Sequence, residues 1–121
     1  METSKHEAGP LLQKSFAFAV RMMKFYRHLQ TSEREFIVSK QLVRSATSIG
    51  ANAEEATGAI SSADFSSKIS IAYKEARETS YWLRVLHAAG YIENKLFSSL
   101  HDDCQQLCRI LYSILRSSGR A

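Results

Sequence analysis

Apolar residues recur every three or four positions along almost the whole 121-residue chain, and residues that favour turns are rare between them. This spacing is the period of an amphipathic α-helix. The chain has one proline and five glycines, whereas a β-sandwich or barrel of this length would need many more turn residues. The pattern therefore predicts an all-α fold, and the length fits one domain with one core.

Two apolar stripes run along the first predicted helix, which should extend from about Pro10 to about Leu29. Proline suits a first helical position. A helix that packs on one side only needs a single stripe, so we assign one stripe to the core and the other to a subunit interface, although part of the second stripe can also serve the core. The predicted core stripe is Leu12, Phe16, Ala19, Met23 and Tyr26, and the predicted interface stripe is Phe18, Met22, Phe25 and Leu29.

Capping patterns mark the starts of the next two helices. Ser32 and Glu35 form an S-x-x-E pattern before helix 2, and Ser61 and Asp64 form an S-x-x-D pattern before helix 3. Gly50 falls inside helix 2, at a cost of about 1 kcal/mol relative to alanine, so it marks either a local irregularity or a very close contact. The predicted core stripes are Leu42, Ala46, Ile49, Ala53, Ala56 and Ile60 on helix 2, and Phe65, Ile69, Ala72, Ala76, Thr79, Leu83 and Leu86 on helix 3.

Gly90 should end helix 3, and helix 4 should run from about Asn94 to about Ser118. Connections of a few residues favour antiparallel packing of helices that follow each other in sequence. The predicted fold is therefore all-α, an up-down-up-down antiparallel four-helix bundle. Its expected boundaries are a flexible N-terminal tail at residues 1–9, the bundle at residues 10–118 and a C-terminal tail at residues 119–121.

The sequence contains none of the common catalytic signatures. It has no Gly-rich phosphate loop, no G-x-S-x-G and no H-E-x-x-H, and no glutamate is followed three residues later by the histidine that di-iron bundles use. His101, Cys104 and Cys108 share one helix face and could supply three zinc ligands, but Cys104 also continues an apolar stripe. We predict that the chain is not an enzyme, that it uses no metal or cofactor, and that no residue is catalytic.

Polar residues flank the core stripes of helices 2 and 3. Half-buried carboxylates there need hydrogen-bond donors. Arg44 is level with Glu78 across the turn, but it points away from the core stripe of its own helix, so we expect the donors to come from another helix or subunit. We interpret the group as a structural hydrogen-bond network in preference to a catalytic acid/base pair. Its predicted members are Ser48, Asn52, Glu55, Glu75 and Glu78.

Basic residues concentrate on helix 1. Between Ala8 and Ser32 there are four Lys or Arg residues and no acid, which gives this segment the same +4 charge as the whole chain. An ordinary solvated face is one explanation. Self-association would multiply the charge, and phosphate backbones respond to the summed charge. We therefore predict RNA or DNA binding with little sequence preference, first through Lys14, Arg21, Lys24 and Arg27 and second through Lys74, Arg77 and Arg84.

The expected compartment is the cytoplasm. No stretch approaches eighteen consecutive apolar residues, so no membrane contact is predicted. The first nine residues lack the apolar run of a secretory signal. Cys104 and Cys108 are four residues apart on one helix, where a disulfide would join nothing distant, so we interpret them as reduced thiols.

Two runs of the sequence form a recognisable signature. The first run extends from Gln41 to Ala56. The second comprises Asp64-Phe65, Ile71-Ala72, Lys74-Glu75-Ala76-Arg77-Glu78-Thr79, Tyr81-Trp82-Leu83-Arg84 and Gly90-Tyr91. Together they resemble a signature of the four-helix-bundle proteins encoded in intervening sequences of bacterial 23S ribosomal RNA genes, over about residues 11–116. One departure is Ala53-Glu54-Glu55, where relatives often carry an apolar residue, Ala and Glu.

The resemblance implies a bacterial, cytosolic bundle that assembles into ring-shaped homopentamers and has no established enzymatic activity. Related proteins include the accessory variability protein of diversity-generating retroelements, which binds nucleic acid and a reverse transcriptase. The expected partners are therefore other copies of this chain, RNA or DNA, and a reverse transcriptase or other protein. A protein-interaction scaffold that binds no nucleic acid is the alternative function.

Overall fold

Four long helices make up the fold in a computed structural model that describes residues 2–118, with side chains for residues 9–118. Each helix packs against its sequence neighbours, and the first also packs against the last, which closes an up-and-down antiparallel bundle. No strand occurs among residues 2–118. The predicted all-α four-helix bundle is confirmed. The helices are α1 (Glu2–Thr31), α2 (Val38–Thr57), α3 (Ser62–Ala88) and α4 (Asn94–Ser117).

The buried stripe of α1 is the second of the two, although Leu12 of the predicted core stripe also packs against the core. Phe16 and Met23, predicted in the core, are 69% and 52% exposed. Both stripes satisfy the helical period, so the sequence alone does not show which one faces the other helices. The assignment of the second stripe to a subunit interface is wrong, because all of its members are buried inside the single chain: Phe18, Met22, Phe25 and Leu29.

Helix α1 also begins earlier than predicted. It starts at Glu2, and Pro10 lies inside it instead of at its first position. A proline there removes one backbone hydrogen bond. The predicted start near Pro10 is therefore wrong, and the backbone of residues 2–9 is helical. The predicted C-terminal tail at residues 119–121 lies outside the described residues.

Glu35, and not Ser32, caps the start of α2. The amide of Ser32 donates to the carbonyl of His28, so Ser32 belongs to the end of α1. The carboxylate of Glu35 accepts hydrogen bonds from the amides of Ile37, Val38 and Ser39, at 3.2, 3.1 and 2.6 Å. The prediction that Ser32 caps α2 is therefore wrong, whereas Glu35 of the same pattern does cap the helix.

The boundaries of α3 follow the predicted signals. The Ser61 hydroxyl accepts from the amide of Asp64 at 3.0 Å, and Asp64 accepts from the amide of Ile60. At the other end Gly90 has a φ of +90°, which side chains disfavour. The amide of Tyr91 returns to the carbonyl of Leu86 at 2.9 Å, as in a Schellman motif. Every residue of the predicted α3 core stripe is buried.

Gly50 marks a close contact between α1 and α2. A Cβ atom at Gly50 would lie 3.4 Å from both the carbonyl oxygen and the hydroxyl of Ser15. Of the two alternatives for Gly50, the structure therefore favours a contact with α1 over an irregularity within α2, at an ordinary van der Waals distance. The predicted α2 stripe is buried as far as Ala56, but α2 ends at Thr57 and Ile60 is 95% exposed. The inclusion of Ile60 in the core is therefore wrong.

Candidate nucleic-acid interface

Arg44 links α2 to α3 through two carboxylates. Its guanidinium donates to Glu75 at 3.0 Å and also to Glu78, which accepts a further bond from the Trp82 indole at 2.9 Å. The expectation that donors would come from elsewhere is wrong, because the long arginine side chain extends sideways from its helix to the acids. The Trp82 bond and then Arg44 lower the pKa of Glu78 against the opposing effect of burial.

The other predicted members of this network lie apart from it. The hydroxyl of Ser48 donates to the backbone carbonyl of Arg44, and the Asn52 amide donates to the carbonyl of Ser48. Glu55 forms a salt bridge with Lys68 at 2.8 Å. The structure therefore brings Glu75 and Glu78 together, whereas Ser48 and Asn52 bond within α2. Each of these bonds satisfies a polar group within α2 or joins α2 to α3, as a structural network would.

The basic cluster predicted on α1 is partly neutralised by α4. Arg21 forms a salt bridge with Asp103 at 2.7 Å and donates to the hydroxyl of Ser99 at 2.8 Å. Lys14 donates to the side chain of Gln106 at 3.3 Å. The two remaining members, Lys24 and Arg27, are exposed. The four predicted contact residues thus divide into two bound to α4 and two directed to solvent.

A wide groove between α3 and α4 is lined by arginine and tyrosine. Its volume is about 530 Å³, and its walls include Tyr73 from α3 and Arg109, Tyr112 and Arg116 from α4. No carboxylate is among the residues that line it. We call this feature the α3/α4 groove. The α4 residues escaped the sequence prediction, although their spacing of three and four places them on one helix face.

Further arginines extend the positive charge along α3. Arg77 donates to the phenol oxygen of Tyr73 at 3.1 Å, and its guanidinium lies 5.9 Å from the centre of that ring. The Tyr73 bond raises the pKa of Arg77. Arg84 lies over Tyr81 at 5.8 Å. Within residues 9–118, the salt bridges engage none of the arginines at 77, 84, 109 and 116, so this side of the bundle keeps its positive charge.

The two cysteines lie beneath the α3/α4 groove. Cys108 lines it, and the adjacent Cys104 thiol, Arg77 and Arg109 lower the pKa of the Cys108 thiol. Cys104 donates to the carbonyl of Ala76 at 3.3 Å. Because Cys104 is fully buried, this contact is part of the core.

The possible zinc ligands at residues 101, 104 and 108 do not form a binding site. Nε2 of His101 is 2.8 Å from the hydroxyl of Ser80, so this nitrogen already has a polar partner. Burial and the nearby Arg84 lower the pKa of His101. Across the described part of the chain, no three side chains of the metal-ligating types come together as a metal site would require.

An apolar surface lies on the opposite side of the bundle. Phe16, Val20 and Met23 are exposed along α1. Beside them a shallow groove of about 230 Å³ is lined by residues of α1 and α2, including Ala19, Gly50 and Ala51. We call these residues the α1/α2 face. No helix in the described part of the chain is long and apolar enough to span a membrane.

The fold and its surface define a class of small four-helix-bundle protein with a closed core, a cationic side and an apolar side. The family model of the 23S rRNA-intervening sequence proteins matches residues 10–113, so the chain belongs to that family, as the signature runs predicted. Among solved structures, the chain resembles a protein of unknown function from the S23 ribosomal protein family of Bacteroides thetaiotaomicron. The two chains are 43% identical with a TM-score of 0.89, over 91% of this chain and 98% of that one. No curated protein matches the chain.

Proposed function

We propose that the chain is a non-enzymatic homo-oligomer that binds RNA or DNA through its basic surfaces with little sequence preference. The observation that carries the proposal is the row of arginines on α3 and α4. Arg109 and Arg116 line the α3/α4 groove, Arg77 lies beside it over Tyr73, and within residues 9–118 none of the three forms a salt bridge. Guanidinium groups without internal counterions favour phosphate, which they can bind in a bidentate manner.

The order of the contact residues changes with this geometry. The sequence favoured α1, but Arg21 already has Asp103 as its counterion, and pulling it away would leave that acid without its partner. The arginines at 77, 84, 109 and 116, together with Lys24 and Arg27 on α1, are exposed, and the salt bridges within residues 9–118 engage none of them. We therefore rank the α3/α4 side first and the outer part of α1 second.

Binding is tested by titrating labelled single-stranded RNA and DNA with the full chain at several salt concentrations. We expect affinity that falls steeply with salt. The double variant Arg109→Glu with Arg116→Glu should bind about tenfold more weakly or worse, because bonds to charged groups contribute about 1.5–3 kcal/mol each. A matched control with the same change in charge is Lys40→Glu with Lys95→Glu, two exposed sites away from the groove.

The controls separate the possible outcomes of this titration. A weaker effect of the control pair would support the α3/α4 side as the main contact. Lys24→Glu with Arg27→Glu measures the contribution of α1. Because Arg27 follows Met23 by four residues on the same side of α1, light scattering must first show that this variant keeps its oligomeric state. Absence of binding at low ionic strength, with the oligomer intact, would overturn the proposed function.

Self-association is assigned to the α1/α2 face. Exposed side chains of Phe16 and Met23 next to a groove floored by glycine and alanine give a surface on which a second copy can pack closely. Light scattering should give a mass of at least twice the 13.6 kDa of one chain. The ring of five subunits that the family resemblance predicts also needs a second, complementary surface on each subunit, because one surface that packs only on itself gives a dimer. Phe16→Asp with Met23→Asp should give a folded monomer, and a monomeric unmodified chain would contradict the assignment.

A protein-interaction scaffold is the second candidate function. It is favoured by exposed apolar residues at the ends of the bundle, Phe36 and Ile37 between α1 and α2 and Ile60 between α2 and α3. The partner in that case is a reverse transcriptase or another protein. Capture of the partner should then persist after nuclease treatment, and the arginine variants should leave it unchanged.

A further inference from the structure

The α3/α4 groove contains an exposed aromatic ring beside one that is fixed in place. The rings of Tyr73 and Tyr112 have centroids 5.9 Å apart with a tilt of 42° between their planes. Tyr73 is held by its hydrogen bond from Arg77, which also lies over the ring. Tyr112 is 43% exposed and lines the open groove. Tyr112 therefore presents a flat aromatic surface to whatever enters.

Two arginines stand on either side of this ring along the helix. Arg109 precedes Tyr112 by three residues and Arg116 follows it by four, so all three lie on one face of α4. At a rise of about 1.5 Å per residue, the backbone positions of the two arginines are about 10 Å apart. A nucleotide inside a strand has a phosphate on each side of its base. The order Arg109, Tyr112, Arg116 along α4 matches the order phosphate, base, phosphate.

The remaining walls of the groove fit a base more closely than a second phosphate. Cys108 is 8% exposed and gives the floor an apolar surface near the tyrosines. Gln105 and Ser113 add an amide and a hydroxyl, which can donate to or accept from the polar edge of a base. A volume of about 530 Å³ lies within the range of sites for small organic groups.

We infer that the α3/α4 groove binds an unpaired base of a single-stranded nucleic acid, stacked on Tyr112, with its flanking phosphates bound by Arg109 and Arg116. The inference rests on the proposed nucleic-acid binding and specifies which part of the strand the groove recognises. Bases in a duplex are already stacked on each other and offer no free face, so a duplex meets only the arginines. Since every base has a π-face, stacking here carries little sequence preference.

The test compares two short labelled strands with the same number of phosphates. One is an oligothymidylate, and the other is a deoxyribose-phosphate strand that has no bases. A surface that reads charge alone binds both equally. A groove that stacks a base binds the strand with bases about fivefold or more tightly, and the difference persists at high salt because stacking releases no counterions.

A pair of tyrosine variants tests the assigned residue. Tyr112→Leu should remove most of the preference for the strand with bases and leave the affinity for the base-free strand nearly unchanged. The matched control is Tyr91→Leu, an exposed tyrosine between α3 and α4 that does not line the groove. The control should keep the full preference. Circular dichroism and thermal unfolding check that both variants fold.

The outcomes distinguish this inference from the proposed function. If neither strand binds, nucleic-acid binding itself is wrong. If both strands bind the unmodified chain equally, binding stands and the base-stacking groove is overturned, even if Tyr112→Leu fails to fold. If the preference exists and a folded Tyr112→Leu keeps it, the assignment to the groove is wrong.

Discussion

Glu35 caps the start of α2, a role that the sequence pattern assigned to Ser32. The spacing of Ser32 and Glu35 fits a capping box, but the amide of Ser32 closes the last turn of α1. Three free amides at the start of α2 then converge on Glu35. The sequence could predict a cap in this segment. It could not predict which residue acts, because that depends on where α1 ends.

We predict that Glu35→Gln lowers the free energy of unfolding by about 1 kcal/mol at neutral pH, as expected for loss of a cap. Burial raises the pKa of Glu35. The hydrogen bonds from the amides of Ser39, Val38 and Ile37 lower it, and together they outweigh burial, so the pKa is lowered overall. A carboxyl with a lowered folded pKa stabilises the fold above its unfolded pKa of about 4.3, and this contribution is lost as the pH falls through the folded pKa.

Urea unfolding of Glu35→Gln and of the unmodified chain, from neutral pH down to below about pH 4, measures the contribution of this carboxylate to stability. The difference in stability should be complete at neutral pH and should shrink in acid. Glu33→Gln is the matched control, since Glu33 only lies 3.9 Å from His28 and caps no helix. Equal stability of Glu35→Gln and the unmodified chain at neutral pH would contradict the role of the cap.

Among the helices, α3 could be predicted almost completely and α1 only in part. For α3, the capping serine, the apolar stripe and the terminal glycine all indicate the same boundaries and the same buried face. For α1, two stripes obey the same period, and only the neighbouring helices decide between them. Ser15 packs against Gly50 on α2, Arg21 extends to α4, and Phe16 lies on the exposed side of the helix. These are contacts between helices, and no single-helix pattern contains them.

The candidate site depended on contacts between helices in the same way. The face of Arg109, Tyr112 and Arg116 is visible in the spacing along α4. Its position beside Tyr73 and Arg77 depends on how α3 and α4 are aligned, which the sequence does not give. Arg44 is a second example. Its position on α2 predicted that it points away from the acids of α3, but its side chain is long enough to reach both Glu75 and Glu78.

Gly50 supplies a prediction about the packing of α1 on α2. A Cβ at this position would lie 3.4 Å from Ser15, which is an ordinary close contact. Because alanine is favoured over glycine inside a helix by about 1 kcal/mol, Gly50→Ala should leave stability unchanged or raise it by up to that amount. Thermal unfolding checks this. A marked loss of stability would mean that the two helices cannot separate even slightly at this point.

At the scale of the whole molecule, the position of the charges matters more than their sum. A net charge of +4 is small for one chain. The apolar α1/α2 face lies across the bundle from the arginines of α3 and α4, so contacts that a neighbouring copy makes with the first surface leave the second free. An assembly built in this way presents several α3/α4 grooves to one strand.

This arrangement predicts that self-association and nucleic-acid affinity are coupled. Each phosphate neutralised on a single strand contributes about 0.7 to the slope of log affinity against log salt. Phe16→Asp with Met23→Asp changes neither groove arginine, yet as a monomer it should bind a long strand more weakly and with a clearly smaller slope. Because the aspartates also add negative charge, the control is Gln41→Asp with Ala63→Asp, at exposed positions of α2 and α3 that line neither groove. If the control remains an oligomer with a full slope while the monomer loses it, assembly multiplies the charge. An unchanged slope in a proven monomer would show that one subunit makes all the contacts.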